Sequence, residues 1–157
     1  MSFVLNRSLK YEDIKISSKQ TIVYLYLGGN KLNPGRAKKA EETITDAAKI
    51  LDQIIQQMST EKNISDFSHA TWEIFSKIEY SILMLKLYLG NENPGRLTKK
   101  VRIKENDQKM LVEISNEIAD ALMSLKDEKY FNALESARRA RNILHTLLIA
   151  IRKNRVK

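Results

Sequence analysis

The sequence predicts an all-α protein: a bundle of four to five helices containing a duplicated helix–turn–helix unit. Three observations carry this expectation. Apolar residues recur at 3.6-residue spacing over long stretches. All five glycines and both prolines fall in two short segments, leaving the rest of the chain free of the strongest helix breakers. Those two segments are versions of one another, LYLGGNKLNPGRAKK at Leu25–Lys39 and LYLGNENPGRLTKK at Leu87–Lys100. At 157 residues, one helical domain spanning 1–157 is expected, large enough to bury a core without staples.

Taken in order, residues 1–16 carry only scattered apolar positions and read as an N-terminal arm, a strand or an early helical turn. Thr21–Leu27 is apolar and β-branched, which suits a strand, but its better-defined second copy is helical and helix is preferred. Each repeated segment then reads as a helix stop followed by a helix start. Gly28 or Gly90 takes the left-handed conformation that ends a helix. Asn33 or Asn93 serves as N-cap, and Pro34 or Pro94 fills the first helical position, where its missing N–H costs nothing. The next helix carries Ala37, Ala40, Ile44, Ala47, Ala48, Leu51, Ile54, Ile55 and Met58 on one face, with a loop around Ser59–Asn63.

A further helix, about Asp66–Leu89, has a stripe of Phe67, Ile74, Phe75, Ile78, Ile82, Leu85 and Leu89. Tyr80, Leu83, Met84, Leu87 and Tyr88 make its second half apolar nearly all round, as expected of a central helix or of one that covers a partner protein. After Pro94 the pattern is interrupted by Lys99–Lys104. It resumes through Met110, Leu111, Ile114, Ile118, Ala121, Leu122 and Leu125. A turn at Lys126–Lys129 leads to a last helix, about Tyr130–Lys153, and a basic tail, 154–157.

Composition narrows the function classes. Hydrophobic residues make up 43% and charged residues 29%, the balance of an ordered globular protein. The absence of cysteine excludes disulfides, thiol nucleophiles and thiolate metal sites, and two histidines leave little for a histidine centre. No metal or cofactor is expected. No stretch reaches the roughly 18 apolar residues of a membrane span, and no signal pattern opens the chain, so the expected location is cytoplasmic. Seventeen isoleucines with abundant lysine suit a thermophile.

The net charge of +8 is unevenly placed. Residues 105–128 hold seven acids and two bases, whereas 129–157 hold eight bases and one acid, a net of +7. On a helical wheel Arg138, Arg141, His145, Arg152 and Arg155 share one flank, and Ala140, Ile143, Leu144, Leu147 and Ile151 point away from it. At 1.5 Å per residue that flank is about 25 Å long, comparable to several phosphate spacings. It reads as a ridge that contacts nucleic-acid phosphates, or else as a solvated face paired with the acidic helix before it.

The two Asn-Pro-Gly-Arg turns pose a second question. Arg36 with Lys38 and Lys39, and Arg96 with Lys99 and Lys100, put cations at helix N-termini, the end where positive charge is disfavoured. A bound phosphate would reverse that penalty. The plainer reading is an efficient interhelical turn with Glu41, Glu42 and Glu105 compensating. Trp72 and His69, three apart, suit either base stacking or a packing contact.

Catalytic signatures are nearly absent: there is no phosphate loop and no nucleophile–base arrangement. The segment ARRARNILH resembles the Arg-x4–6-His motif of HEPN-type helical ribonucleases, with Arg138 or Arg139 upstream of His145. That resemblance implies an RNase pair of Arg138 and His145. The family's order is Arg-Asn-x-x-x-His, and here Arg141-Asn142 stands one residue too close to His145.

The function expected from these features is that of a non-catalytic basic helical subunit touching DNA or RNA backbones through Arg138, Arg141, Arg152 and Arg155. Arg36, Arg96, Lys99 and Lys100 would be secondary anchors. In size and charge the chain is similar to accessory subunits of archaeal replication and CRISPR effector complexes. A helical protein–protein adaptor using Tyr80, Leu83, Met84, Leu87 and Tyr88, or a homo-oligomer, is the alternative, and the ribonuclease is the third.

Overall fold

The computed structural model describes residues 33–60, 62–90 and 106–155, residue 155 by its backbone alone. The chain divides into two units, Met1–Leu32 and Asn33–Lys157, and every described helix belongs to the second. The expected arm at 1–16, the segment Thr21–Leu27, the first-copy Gly28 and the second-copy turn Asn93–Arg96 with Lys99 and Lys100 lie outside the described residues.

The described residues form four α-helices: α1, Pro34–Met58; α2, Ser68–Leu89; α3, Asp107–Lys126; and α4, Tyr130–Arg155. A 3-10 turn, Ile64–Phe67, leads into α2. The described residues contain no strand, so the all-α expectation holds. None of these helices is long and apolar enough to cross a membrane.

The helix ends follow from local chemistry. Asn33 caps α1, its side-chain oxygen accepting from the Gly35 N–H at 3.0 Å, with Pro34 at the first position. A Cβ on Gly35 would stand 3.0 Å from that same oxygen, so the glycine leaves room for the cap. Asn63 and Asp66 close a reciprocal capping box on the 3-10 turn. Gly90 ends α2 with φ 78°, the left-handed conformation expected from the sequence. Asn106 caps α3 through the Lys109 N–H, 3.0 Å away.

Cross-helix contacts set the topology. Ser81 donates to the Ala40 carbonyl and Arg36 to the Leu87 carbonyl, so rising numbers in α1 meet falling numbers in α2. Glu79 meets Arg141, Phe75 meets His145 and Tyr88 meets Tyr130, so α2 and α4 are antiparallel. Glu117 meets Arg139 while Asp120 and Met123 border Asn132 and Glu135, so α3 and α4 are antiparallel too. The main contacts therefore run in a ring, α1–α2–α4–α3 and back to α1, with every neighbour antiparallel. It follows that α2 and α3 run parallel, across the diagonal. One end of the bundle holds the start of α2 and the finish of α4.

The core is the set of inward stripes. Ile44, Leu51 and Ile54 from α1, Ile74, Ile78, Ile82 and Leu85 from α2, Ile114 and Ile118 from α3, and Leu134 and Ile143 from α4 are all buried, each worth about 2 kcal/mol relative to exposure. Small residues set the helix spacing: Ala40 faces the buried Ser81, and Ala133, Ala137 and Ala140 line the inner face of α4. The buried hydroxyls of Thr71 and Ser81 donate back to the Phe67 and Lys77 carbonyls, which satisfies them within their own helix.

Candidate nucleic-acid interface

The arginines of the expected ridge do not share one fate. Arg138 is only 8% exposed, and its guanidinium donates to Glu135 at 2.9 Å, one turn back along α4. Its guanidinium is thus largely buried and held within α4 rather than standing on an open ridge. Arg141 reaches across to Glu79 of α2 at 3.2 Å. On the opposite flank, Arg139 forms a two-oxygen contact with Glu117 of α3, both distances 2.9 Å, and also donates to Ser136. That hydrogen bond to Glu117 raises the Arg139 pKa, against the lowering effect of burial. These side chains tie α4 to the helices on either side of it.

Arg36 is likewise engaged. From the start of α1 it crosses to the end of α2 and donates to the Leu87 carbonyl at 3.0 Å. A cation that looks misplaced at one helix N-terminus thus sits at another helix's C-terminus, where unsatisfied carbonyls favour it. Lys39 pairs with Glu42 at 3.6 Å.

Arg152 and Lys153 are different. Both are exposed near the end of α4, and neither has an acidic partner among the described residues. Arg152 borders a groove of about 320 Å³ between the finish of α4 and the start of α2. Trp72, 54% exposed, and His145 border the same groove, with Ser68, Leu148 and Ile149. No carboxylate is among its described lining residues. Trp72 meets Phe75 edge-on, centroids 5.3 Å apart at 85°, and Phe75 in turn meets the His145 ring at 6.4 Å.

Sequence reasoning paired Trp72 with His69. The structure brings it instead to His145 and Arg152, some eighty residues further along the chain. Lys153 was missed altogether, because it lies off the flank that the arginines define. The contact between α2 and α4 that assembles this groove has no signal in either helix's own periodicity.

Arg138 and His145 stand seven residues apart on α4, about 10 Å along its axis. The Arg138 guanidinium donates to Glu135, and the His145 ring meets Phe75. Among the described residues no three of His, Asp and Glu converge closely enough to hold a metal ion.

Of the expected partner surface, Tyr80, Leu83 and Leu87 are exposed and lie along one line of α2. Met84 and Tyr88 are partly buried against the core, and Tyr88 meets Tyr130 with ring centroids 4.6 Å apart. Comparison with protein-family models, with curated proteins and with solved structures returns no match for this chain.

Proposed function

We propose that this protein is a non-catalytic nucleic-acid-contacting subunit that meets backbone phosphates at the C-terminal end of α4. One observation carries the reading. The arginines in the middle of α4 are committed to Glu135, Glu117 and Glu79, whereas Arg152 and Lys153 are exposed with no acidic partner among the described residues. Arg155 and Lys157 follow them in sequence and add charge of the same sign. The contact surface is thus shorter than the 25 Å ridge expected from the wheel.

The test is a titration of labelled DNA and RNA, single- and double-stranded, across a salt series. Binding that weakens steeply with salt supports the reading, with one unit less slope for each phosphate contact removed in Arg152→Ala and Lys153→Ala. Binding absent at about 50 mM salt, or indifferent to salt, overturns it. Substituting Arg141 should instead lower stability and leave the slope nearly unchanged.

A second reading has an observation of its own. The exposed line of Tyr80, Leu83 and Leu87 suits an adaptor that docks a partner helix through apolar contact. Such binding would survive high salt and fail in Leu83→Asp. The cations lie at the end of α4 and the apolar line on the second half of α2, so one subunit of a larger nucleoprotein complex would use both.

A further inference from the structure

The groove at the end of the bundle combines features that phosphate contact alone does not require. Its wall is the indole of Trp72, over half exposed although it is the chain's one tryptophan. Its edge-to-face contact with Phe75 orients the ring, and its exposure leaves indole surface open to the groove. Leu148 and the half-exposed Ile149 supply an apolar floor. Arg152 stands at the rim, with His145 and the Ser68 hydroxyl as further polar groups.

Size and charge select the occupant. A volume of about 320 Å³ lies at the lower end of small-ligand pockets, and accepts one planar ring system and its immediate substituents. An aromatic wall beside a cation, with no carboxylate among the described lining residues, matches a flat, uncharged ring bearing an anion one sugar away. An unpaired nucleotide has that form. A base inside a duplex does not, because both of its faces are already stacked.

We infer that the groove between the start of α2 and the end of α4 is a stacking site for one unpaired base of single-stranded nucleic acid. The base lies on Trp72 and its flanking phosphate meets Arg152. This deepens the phosphate-contacting reading and rests on it: Arg152 and Lys153 hold the backbone of any nucleic acid, and Trp72 adds a preference for the single strand.

Because Trp72 is the chain's one tryptophan, its emission reports this groove alone. The experiment adds a short single-stranded oligonucleotide, then the duplex of the same sequence, to the full chain. Fluorescence and salt-dependent affinity are followed together. Expected is strong quenching by the single strand and little by the duplex. Trp72→Ala should lose about tenfold in single-strand affinity with duplex affinity unchanged, and Trp72→Phe should restore most of the loss. An exposed ring can be removed without disturbing the core, and circular dichroism of each variant checks that the helices remain.

Salt-dependent binding with unchanged Trp72 emission, or with wild-type affinity in Trp72→Ala, overturns the stacking site while leaving the phosphate reading intact. Absence of salt-sensitive binding to either form overturns both. Quenching by an apolar helical peptide but not by the single strand assigns the groove to a protein and also overturns the inference.

Discussion

Tyr130 shows how a single side chain registers its surroundings. It opens α4 against Tyr88, and burial first, then the hydrogen bond with Tyr88, push its pKa from 10.0 up to about 12. The folded state therefore keeps its phenol protonated after the unfolded chain has begun to ionise. Its contribution to stability is complete below pH 10 and is lost as the pH rises towards about 12. Denaturant unfolding across that window should show a steeper alkaline loss for the wild type than for Tyr130→Phe. Glu128 is the other telling residue. It holds φ 57° in the turn between α3 and α4, a conformation that a β-carbon disfavours. Glu128→Gly should raise the melting temperature by about 3 °C, read by circular dichroism. A fall would mean that contacts of the Glu128 side chain outweigh the backbone cost.

Among the elements, α4 carries the most information. Its buried stripe from Ala140 to Ile151 was legible from sequence because 3.6-residue spacing is a property of one helix alone. The inner faces of α1, α2 and α3 were legible for the same reason. The capping of α1 by Asn33 and Pro34 and the left-handed end of α2 at Gly90 were legible because caps are local chemistry. The burial of Thr71 and Ser81 was not, since a hydroxyl that returns a bond to its own helix leaves no mark in a hydrophobic pattern. The roles of Arg139 and Arg141 were hidden for a deeper reason: Glu117 and Glu79 are 22 and 62 residues away, and only the order of helices around the ring brings them close. Glu117, 17% exposed in its side chain, tests this pairing. Glu117→Ala should cost about 1 kcal/mol in urea unfolding, because its partner Arg139 is half exposed and water recovers part of the loss. A double-mutant cycle with Arg139→Ala isolates the coupling.

For the whole molecule, the arrangement of the ring was the part the sequence concealed. A hydrophobic stripe says that a helix has neighbours and is silent on which ones. The groove beside Trp72 depends on that choice, since exchanging the places of α3 and α4 would separate Trp72 from Arg152. Core integrity is correspondingly collective. Ile78, fully buried on α2, should cost roughly 3 kcal/mol when cut to alanine, with loss of stability and no change in salt slope for the folded fraction. That contrast separates damage to the scaffold from damage to the interface.

The ring of antiparallel neighbours also determines how the molecule is seen from a distance. Each end of the bundle presents two helix N-termini and two helix C-termini, so the backbone contributions oppose one another and their combined field decays quickly with distance. Under the proposed function, Arg152 and Lys153 at the close of α4 are then the described cations that act on an approaching polyanion there. Encounter rates with nucleic acid should accordingly follow the number of charges there, falling with each of Arg152 and Lys153 removed and rising again at low ionic strength, as stopped-flow association would show.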